Sequence, residues 1–487
     1  MTGEPGLGAA AAKGGAITLG IQAVRIVINL STIIILARML APEDFGLVAM
    51  VVAIVGIAEI IRDFGLSNAA LQAANLSQAQ KTNLFWINTS LGAFCSVTIC
   101  LAASTIAALY GDARLEQIAY ALSGIFLLNG MTTQFRVEIN RRLEFAKLGA
   151  TDLIPQVMAL MIAIVVAQLG GTYWAIVAQQ LTISLTALLV SIFYARWMPG
   201  CPSLRTGNVR DLVAFGLNLS GTQVLAYFAR NADSFLIGRF IGPTALGLYD
   251  RAFQLLMAPI NQINAPLTRV AVPILARVRE SPEKLRQYLQ YAQLVSGYVT
   301  ASLFLFVAGL SEALILLLFG EKWLPAAGIL SILALGGVFR SLMQVTYWIF
   351  LSTGNARAQF RLDTIAQPLI VVSLVIGVSF GLTGVAVAHS IAYAIYWSAG
   401  LWWAGHVTGL RTKLLLINAL RIVAWIGVPI GLIAAAVNQI NINPALRIGT
   451  GILLCMIWCL LAVAISRSVR EDAQVFRRAY SVVKGTR

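Results

Sequence analysis

The sequence predicts an all-α polytopic membrane protein with about fourteen transmembrane helices. Of its 487 residues, 59% are hydrophobic and 11% are charged, and the mean hydropathy is +0.81. A soluble globular domain is nearer half apolar and a quarter charged. Runs of about 20 apolar residues, the length that crosses the hydrocarbon of a bilayer, recur along nearly the whole chain. Little of the sequence is left for a domain outside the membrane.

Each of these apolar runs predicts one membrane-spanning helix. The predicted spans cover residues 15–40, 45–61, 83–109, 115–135, 151–170, 172–194, 212–240, 245–275, 288–318, 325–352, 363–380, 383–404, 414–437 and 445–466. The first run is too long for the core of a signal peptide and contains an arginine, so it is interpreted as a retained helix.

The basic residues predict the orientation in the membrane. With the N-terminus in the cytoplasm, the cytoplasmic segments hold 24 Lys and Arg residues and the outer loops hold five. This asymmetry follows the positive-inside rule and predicts that both termini are cytoplasmic. The net charge of +15 is therefore explained by topology, and no nucleic acid is expected as a partner.

Cysteine and histidine usage excludes two kinds of site. Four of the five cysteines fall inside predicted spans, so helix packing explains them better than a disulfide framework. Only two histidines, His389 and His406, are present. No metal site and no cofactor is predicted.

An internal repeat relates the two halves of the chain. A shift of 201 residues aligns Gly20 with Gly221 and the segment ARMLAPEDFGL at 37–47 with GRFIGPTALGL at 238–248. A shift near 210 then aligns Asp152 with Asp363. Because six helices separate the copies, both point the same way, which is typical of transporters with two lobes related by an axis along the membrane normal. The predicted domains are an N-terminal lobe at 1–205, a C-terminal lobe at 206–405, and an extra helix pair with a basic tail at 406–487.

Polar residues lie within several predicted spans, and cations outnumber anions there. A charge at the centre of a bilayer costs roughly 2.5–3.5 kcal/mol, so it usually faces a cavity or a partner. In the first span, polar side chains recur every three or four residues and so share one helix face. Three prolines are expected to interrupt the eighth span. The candidates for substrate binding are Arg25, Arg230, Arg251, Arg269, Arg340, Gln22, Asn29, Gln223 and Asn261.

Other interpretations of these charges stay open. Arg230 and Asp233 could simply pair with each other, Arg251 could lie near the outer surface, and Arg269 could reach the cytoplasmic surface. Glu59 could serve helix packing or carry a proton. The guanidinium groups suit a phosphate and do not titrate away, whereas the amides suit sugar hydroxyls. A substrate that bears both phosphate and sugar is therefore predicted.

The segment Arg38-Met39-Leu40-Ala41-Pro42-Glu43-Asp44-Phe45-Gly46 resembles the first outer loop of the Wzx-type polysaccharide transporters, within the multidrug/oligosaccharidyl-lipid/polysaccharide exporter superfamily. The segments at 171–174 and 381–384, the two lobes and the intramembrane arginines are also similar. The resemblance implies a flippase that moves undecaprenyl-pyrophosphate-linked oligosaccharides across the bacterial inner membrane for exopolysaccharide or lipopolysaccharide synthesis. It further implies alternating access through an arginine-lined central cavity, Asp233 or Glu59 as coupling-ion candidates, and a polysaccharide polymerase and export machinery as partners.

Three alternatives remain. A lipid II flippase of the same superfamily has a similar fold and an anionic lipid substrate. A drug exporter typically carries cations, which an acidic cavity would suit better. A polytopic glycosyltransferase or polymerase would be an enzyme, but the predicted outer loops are short and contain no DxD motif, so no enzyme is expected.

Overall fold

The computed structural model describes residues 5–63, 70–71, 76–202, 227–228 and 230–474, and these are helical or in short connections without any β-strand. The predicted all-α membrane class is confirmed. Ten helices in the described residues are long and apolar enough to cross a bilayer, and residues 212–226 of the seventh predicted span lie outside them. The number of fourteen spans therefore stays a prediction.

The helices follow the predicted spans closely. In chain order they are α1 (Pro5–Met39), α2 (Pro42–Asp63), α3 (Gln78–Tyr110), α4 (Arg114–Arg141), α5 (Phe145–Gln168), α6 (Trp174–Ala195), α7 (230–240), α8 (Pro243–Arg277), α9 (Pro282–Gly309), α10 (Ser311–Leu318), α11 (Ala326–Ser352), α12 (Ala356–Val378), α13 (Gly381–Thr408), α14 (Lys413–Asn438) and α15 (Pro444–Ile465).

Local sequence signals explain where several helices begin and end. At the start of α3, the Ser77 hydroxyl accepts the Gln80 N–H at 3.2 Å and the Gln80 side chain accepts the Ser77 N–H at 3.0 Å, which forms a capping box. The α3 helix ends at Gly111, whose φ of +78° favours glycine. Gly170 and Gly381 also have positive φ, of +82° and +71°, at the tight connections that precede α6 and α13.

Two details differ from the predicted spans. The expectation that prolines interrupt the eighth span is wrong, because α8 continues through Pro259, Pro266 and Pro273. Membrane helices tolerate proline where neighbouring groups satisfy the freed backbone. The predicted span at 288–318 is instead two helices, α9 and α10, that meet at Leu310.

The described chain forms two compact units, Met1–Gly247 and Leu248–Arg487. The domain boundaries predicted from the repeat stay a prediction. In the first unit, α3 and α4 approach most closely at Gly92 and Gly130, where an added Cβ would lie 2.5 Å from a carbonyl oxygen of the facing helix. Small residues allow such close packing, which drives helix association in a membrane where burial of apolar surface cannot.

Matching residues of the repeat contact each other within the first unit. A Cβ on Gly46 would collide with the carbonyl oxygen of Pro243, and a Cβ on Gly247 would collide with the carbonyl oxygen of Pro42. Pro42 begins α2 and Pro243 begins α8, so each glycine lies one turn into its helix. The contact is therefore reciprocal between the first turns of α2 and α8.

Candidate functional site

Arg340 lies near the middle of α11, held between two aromatic rings of the second unit. Its guanidinium carbon is 4.7 Å from the centroid of the Tyr393 ring and 5.6 Å from that of Phe253. Both distances are within the range of a cation–π interaction. Arg340 forms no ion pair and no hydrogen bond with a residue that the structure describes. Its charge is therefore oriented by rings and is not neutralised by a carboxylate there.

His389 of α13 packs into the same cluster. Its ring centroid is 5.5 Å from that of Phe253 in an edge-to-face arrangement and 4.8 Å from that of Tyr393. The imidazole is buried, and its Nδ1 has no hydrogen-bond partner among the described residues. We refer to Phe253, Arg340, His389 and Tyr393 as the Arg340 cluster.

Asp363 of α12 lies near the Arg340 cluster, and uncharged side chains donate hydrogen bonds to it. The Tyr393 and Tyr396 rings are 6.1 Å apart, and the Tyr396 hydroxyl donates a hydrogen bond to Asp363. The Gln359 amide donates to both oxygens of Asp363, at 3.1 and 3.2 Å. Asp363 on α12 is thus satisfied without an arginine, which leaves the Arg340 cluster cationic.

A second polar region lies in the first unit, where α2 meets α4. Arg62 is only 7% exposed, and it donates to both oxygens of Glu59 at 2.8 and 3.1 Å and to the Thr133 hydroxyl at 2.7 Å. Asn129 also donates to Glu59 at 3.3 Å. A cavity of about 410 Å³ opens beside this network, with Arg136 in its lining. In contrast to Arg340, Arg62 is paired with a carboxylate.

Sequence reasoning placed Arg62 and Arg136 in cytoplasmic segments and so missed this region. Arg136 forms an ion pair with Asp152 of α5. The sequence feature that could have indicated this region is the periodicity of α4, in which polar residues recur about every three or four positions and so share one helix face. They are Asn129, Thr132, Thr133, Arg136 and Asn140.

Two predicted site residues lie together on α1. Arg25 donates a hydrogen bond to the side chain of Gln22 at 2.5 Å, and both residues are half-buried. Asn29, one turn further, is exposed. The structure thus places Gln22 and Arg25 side by side, as their spacing predicts, while Gln223 lies outside the described residues.

The remaining candidates are dispersed. Arg230 is exposed on α7, and Asp233 is buried and accepts the Ser234 backbone N–H at 2.8 Å. On α8, Arg251 pairs with Asp250 at 2.9 Å, whereas Asn261 and Arg269 are exposed. Arg251 therefore has a carboxylate partner that Arg340 lacks.

A polar contact joins α8 to α11. The hydroxyl of Thr268 accepts hydrogen bonds from Gln344 at 3.0 Å and from Trp348 at 2.9 Å. Gln344 lies one turn after Arg340 on α11. The polar face of α8 therefore meets the helix that carries the Arg340 cluster.

The comparisons with known proteins agree with a transporter architecture. Residues 35–328 match the model of a family described as polysaccharide biosynthesis protein. The chain belongs to this family. This member of the polysaccharide biosynthesis family is 28% identical to the teichuronic acid biosynthesis protein TuaB of Bacillus subtilis, over 73% of this chain and 74% of TuaB. It is also 25% identical to the lipopolysaccharide biosynthesis protein WzxC of Escherichia coli, over 70% of each chain.

Solved structures with the same fold include transporters. The lipid II flippase MurJ, in an inward closed conformation, covers 92% of this family member and 99% of its own chain, with a TM-score of 0.70 and 14% identity. A multidrug transporter of the MATE family, in an inward-facing conformation, covers 81% of this chain and 98% of its own, with a TM-score of 0.58 and 17% identity. The family member therefore has the multi-pass helical fold of these two transporters.

Proposed function

We propose that the protein is a flippase that moves undecaprenyl-pyrophosphate-linked oligosaccharides across the bacterial inner membrane, with both termini in the cytoplasm. The translocated unit then serves exopolysaccharide or lipopolysaccharide synthesis through a separate polymerase and export machinery. The names of the relatives support a role in polysaccharide transport. They include a succinoglycan biosynthesis transport protein, ExoT of Rhizobium meliloti, that is 26% identical over 62% of this chain. The transporter fold supports a mechanism of alternating access through an arginine-lined cavity.

The observation that carries the proposal is that Arg340 has no carboxylate partner among the described residues. A cation within a membrane protein is costly unless a counter-charge is present. Two aromatic rings orient Arg340, none of its five N–H donors binds a residue in the described part of the chain, and a guanidinium matches the oxygens of a phosphate group. A pyrophosphate would supply the counter-charge during transport. A drug exporter that carries cations gains nothing from such a group.

The remaining predicted residues have secondary roles in this proposal. Arg25, Arg230, Arg251 and Arg269 attract the anionic head group, and the amides of Gln22, Asn29, Gln223 and Asn261 suit sugar hydroxyls. Glu59 and Asp233 are the candidates for ion coupling. Coupling is not required on energetic grounds, since moving two negative charges outward at about 100 mV releases roughly 5 kcal/mol.

A lipid II flippase is the second candidate, and the specific observation in its favour is the TM-score of 0.70 to MurJ. At 14% identity this similarity shows the fold alone. Both candidates bind a lipid-linked pyrophosphate, so the glycan distinguishes them. The family match and the relatives' names favour a polysaccharide repeat unit.

The test is a flipping assay in proteoliposomes with an imposed membrane potential. Two substrates are compared, an undecaprenyl-pyrophosphate oligosaccharide and lipid II, and the measured quantity is the sugar that becomes accessible at the far leaflet. Wild type is compared with Arg340→Gln and with the matched control Arg136→Gln, which removes the same charge from an arginine that already has a partner.

We expect potential-dependent transfer of the oligosaccharide by wild type and by Arg136→Gln, and a loss of at least about tenfold in Arg340→Gln. Transfer of lipid II alone would favour the second candidate. Elongation of the glycan without transfer would refute a flippase. Equal rates in wild type and Arg340→Gln would leave the transporter class intact but refute the role of Arg340.

A further inference from the structure

A long apolar groove lies between α12 and α13 in the second unit. Its volume is about 1270 Å³, and it extends from Phe360 to Gly377 along α12. The lining side chains are almost all apolar and include Ile365, Leu369 and Ile395, each more than 60% exposed. The two helices nevertheless form a close pair, since a Cβ on Gly377 or Gly384 would collide with the backbone of the facing helix.

One end of the groove is aromatic and basic. Because α12 and α13 are antiparallel, the start of α12 and the end of α13 lie together, and Trp403 donates a hydrogen bond to the carbonyl oxygen of Ala358 at 3.1 Å. A second cavity of about 510 Å³ adjoins this end and is lined by His406, Arg411 and Lys413, among others. Trp402 lines both cavities, so they adjoin at its side chain.

The cations at this end have no acidic partner in the part of the chain that the structure describes. Arg361, Arg411 and Lys413 are exposed and form no ion pair with a described residue. His406 stacks on Trp402 with ring centroids 5.9 Å apart. The predicted topology places this end at the cytoplasmic surface, where tryptophans and basic residues anchor a membrane protein to lipid head groups.

We propose that the groove and its basic end bind an anionic phospholipid, whose acyl chains lie between α12 and α13 and whose phosphate contacts Arg361, Arg411 and Lys413. Basic pockets between transmembrane helices on the cytoplasmic side suit such head groups. The head-group cavity has no Asn, Gln, Asp or Glu in its lining, so it lacks the amide and carboxylate oxygens that accept hydrogen bonds from sugar hydroxyls. The site therefore fits a resident phospholipid better than a lipid-linked oligosaccharide, and the inference does not depend on the proposed function.

The test measures lipid binding to the purified full-length protein by native mass spectrometry in detergent. The probes are phosphatidylglycerol, phosphatidylcholine and decaprenyl phosphate. The triple variant Arg361→Gln/Arg411→Gln/Lys413→Gln removes the basic end. The matched control Arg279→Gln/Lys284→Gln/Arg286→Gln removes three charges from the α8–α9 connection and the start of α9. Ala399→Trp narrows the groove and leaves every charge in place.

We expect wild type to retain phosphatidylglycerol in preference to phosphatidylcholine. The triple variant should bind phosphatidylglycerol on the order of 100-fold more weakly, from about a fivefold contribution per cation, and the control should bind it as wild type does. Ala399→Trp should also weaken binding, which a non-specific charge effect would not produce. Equal retention of the two phospholipids, or unchanged binding in the triple variant, would overturn the proposal. If only decaprenyl phosphate depends on these residues, the groove belongs to the carrier lipid and the phospholipid assignment is wrong.

Discussion

The repeat places an arginine and an aspartate on equivalent helices in each half of the chain, and only one half pairs them. Helices α4 and α5 carry Arg136 and Asp152, which form an ion pair. Helices α11 and α12 carry Arg340 and Asp363, where Asp363 is bound by Tyr396 and Gln359 and Arg340 is bound by aromatic rings. The Arg136–Asp152 ion pair joins α4 to α5, whereas the charge of Arg340 stays available for a ligand.

Depth along the helix contributes to this difference. Arg136 lies five residues before Arg141, the last residue of α4, whereas Arg340 lies twelve residues before Ser352, the last residue of α11. At 1.5 Å per residue, Arg340 is about 10 Å deeper from its helix end. A charge near a helix end can reach water, but one at mid-helix depends on a partner or a ligand.

The largest expected effect is the loss of anion binding in Arg340→Gln. Removing the cation from a charge pair that the bound pyrophosphate desolvates costs about 2–5 kcal/mol, so the affinity for a short-chain polyprenyl pyrophosphate should fall about 30-fold or more. Isothermal titration calorimetry in detergent measures the affinity. The comparison is sharpened by Arg136→Gln, which should bind within about threefold of wild type. Equal losses in the two variants would refute the distinction between paired and unpaired arginines.

The second-largest effect is expected from removing the Tyr396 hydroxyl, which donates a hydrogen bond to Asp363. Tyr396→Phe removes one hydrogen bond to a charged group, which is worth about 1.5–3 kcal/mol, and frees an oxygen of Asp363 in the vicinity of the Arg340 cluster. We expect a lower free energy of unfolding in an SDS titration and a weaker affinity for pyrophosphate, because the carboxylate then competes for Arg340.

The double variant Tyr396→Phe/Asp363→Asn provides the control for that prediction. It removes the competing charge, so it should recover the pyrophosphate affinity even if it does not recover stability. If affinity stays low in the double variant, the tyrosine acts by another route and Asp363 does not compete.

The sequence predicts the helices of this protein better than its charged sites, for a physical reason. A bilayer requires apolar runs of fixed length, and the hydropathy pattern records them directly, so predicted spans and observed helices agree within several residues over most of the described chain. Whether an arginine has a partner depends on helices that are distant in sequence. Nothing near Arg340 in the sequence indicates that Tyr393 covers it, and nothing near Arg62 indicates Thr133.

The repeat illustrates the same limit. The alignment of Asp152 with Asp363 identifies equivalent positions, but it does not show that one accepts an arginine and the other a tyrosine. Similarly, Arg62 and Arg136 look like loop charges because they stand near the ends of apolar runs. Only the packing of α2 against α4 shows that Arg62 is buried and paired with Glu59.

A smaller effect is expected for the coupling energy between Arg136 and Asp152. Their side chains are 36% and 24% exposed, so solvent screens the pair and a double-mutant cycle with Arg136→Gln and Asp152→Asn should give at most about 1 kcal/mol. The equivalent cycle with Arg340→Gln and Asp363→Asn should give a coupling near zero, because these two side chains form no ion pair. Comparable coupling in both cycles, measured from unfolding in SDS, would show that the two halves are alike.

The smallest effect is expected from the ring that orients Arg340. A cation–π interaction contributes about 0.5–1 kcal/mol at a partly exposed site, so Tyr393→Leu should weaken pyrophosphate binding only about two- to fivefold, by letting the guanidinium adopt more orientations. Tyr393→Phe keeps the ring and should bind as wild type does, which separates the ring from the hydroxyl. Calorimetry measures both affinities. A large loss in Tyr393→Phe would mean that the hydroxyl itself contacts the anion, whereas unchanged binding in Tyr393→Leu would mean that Phe253 and the helix backbone alone position Arg340.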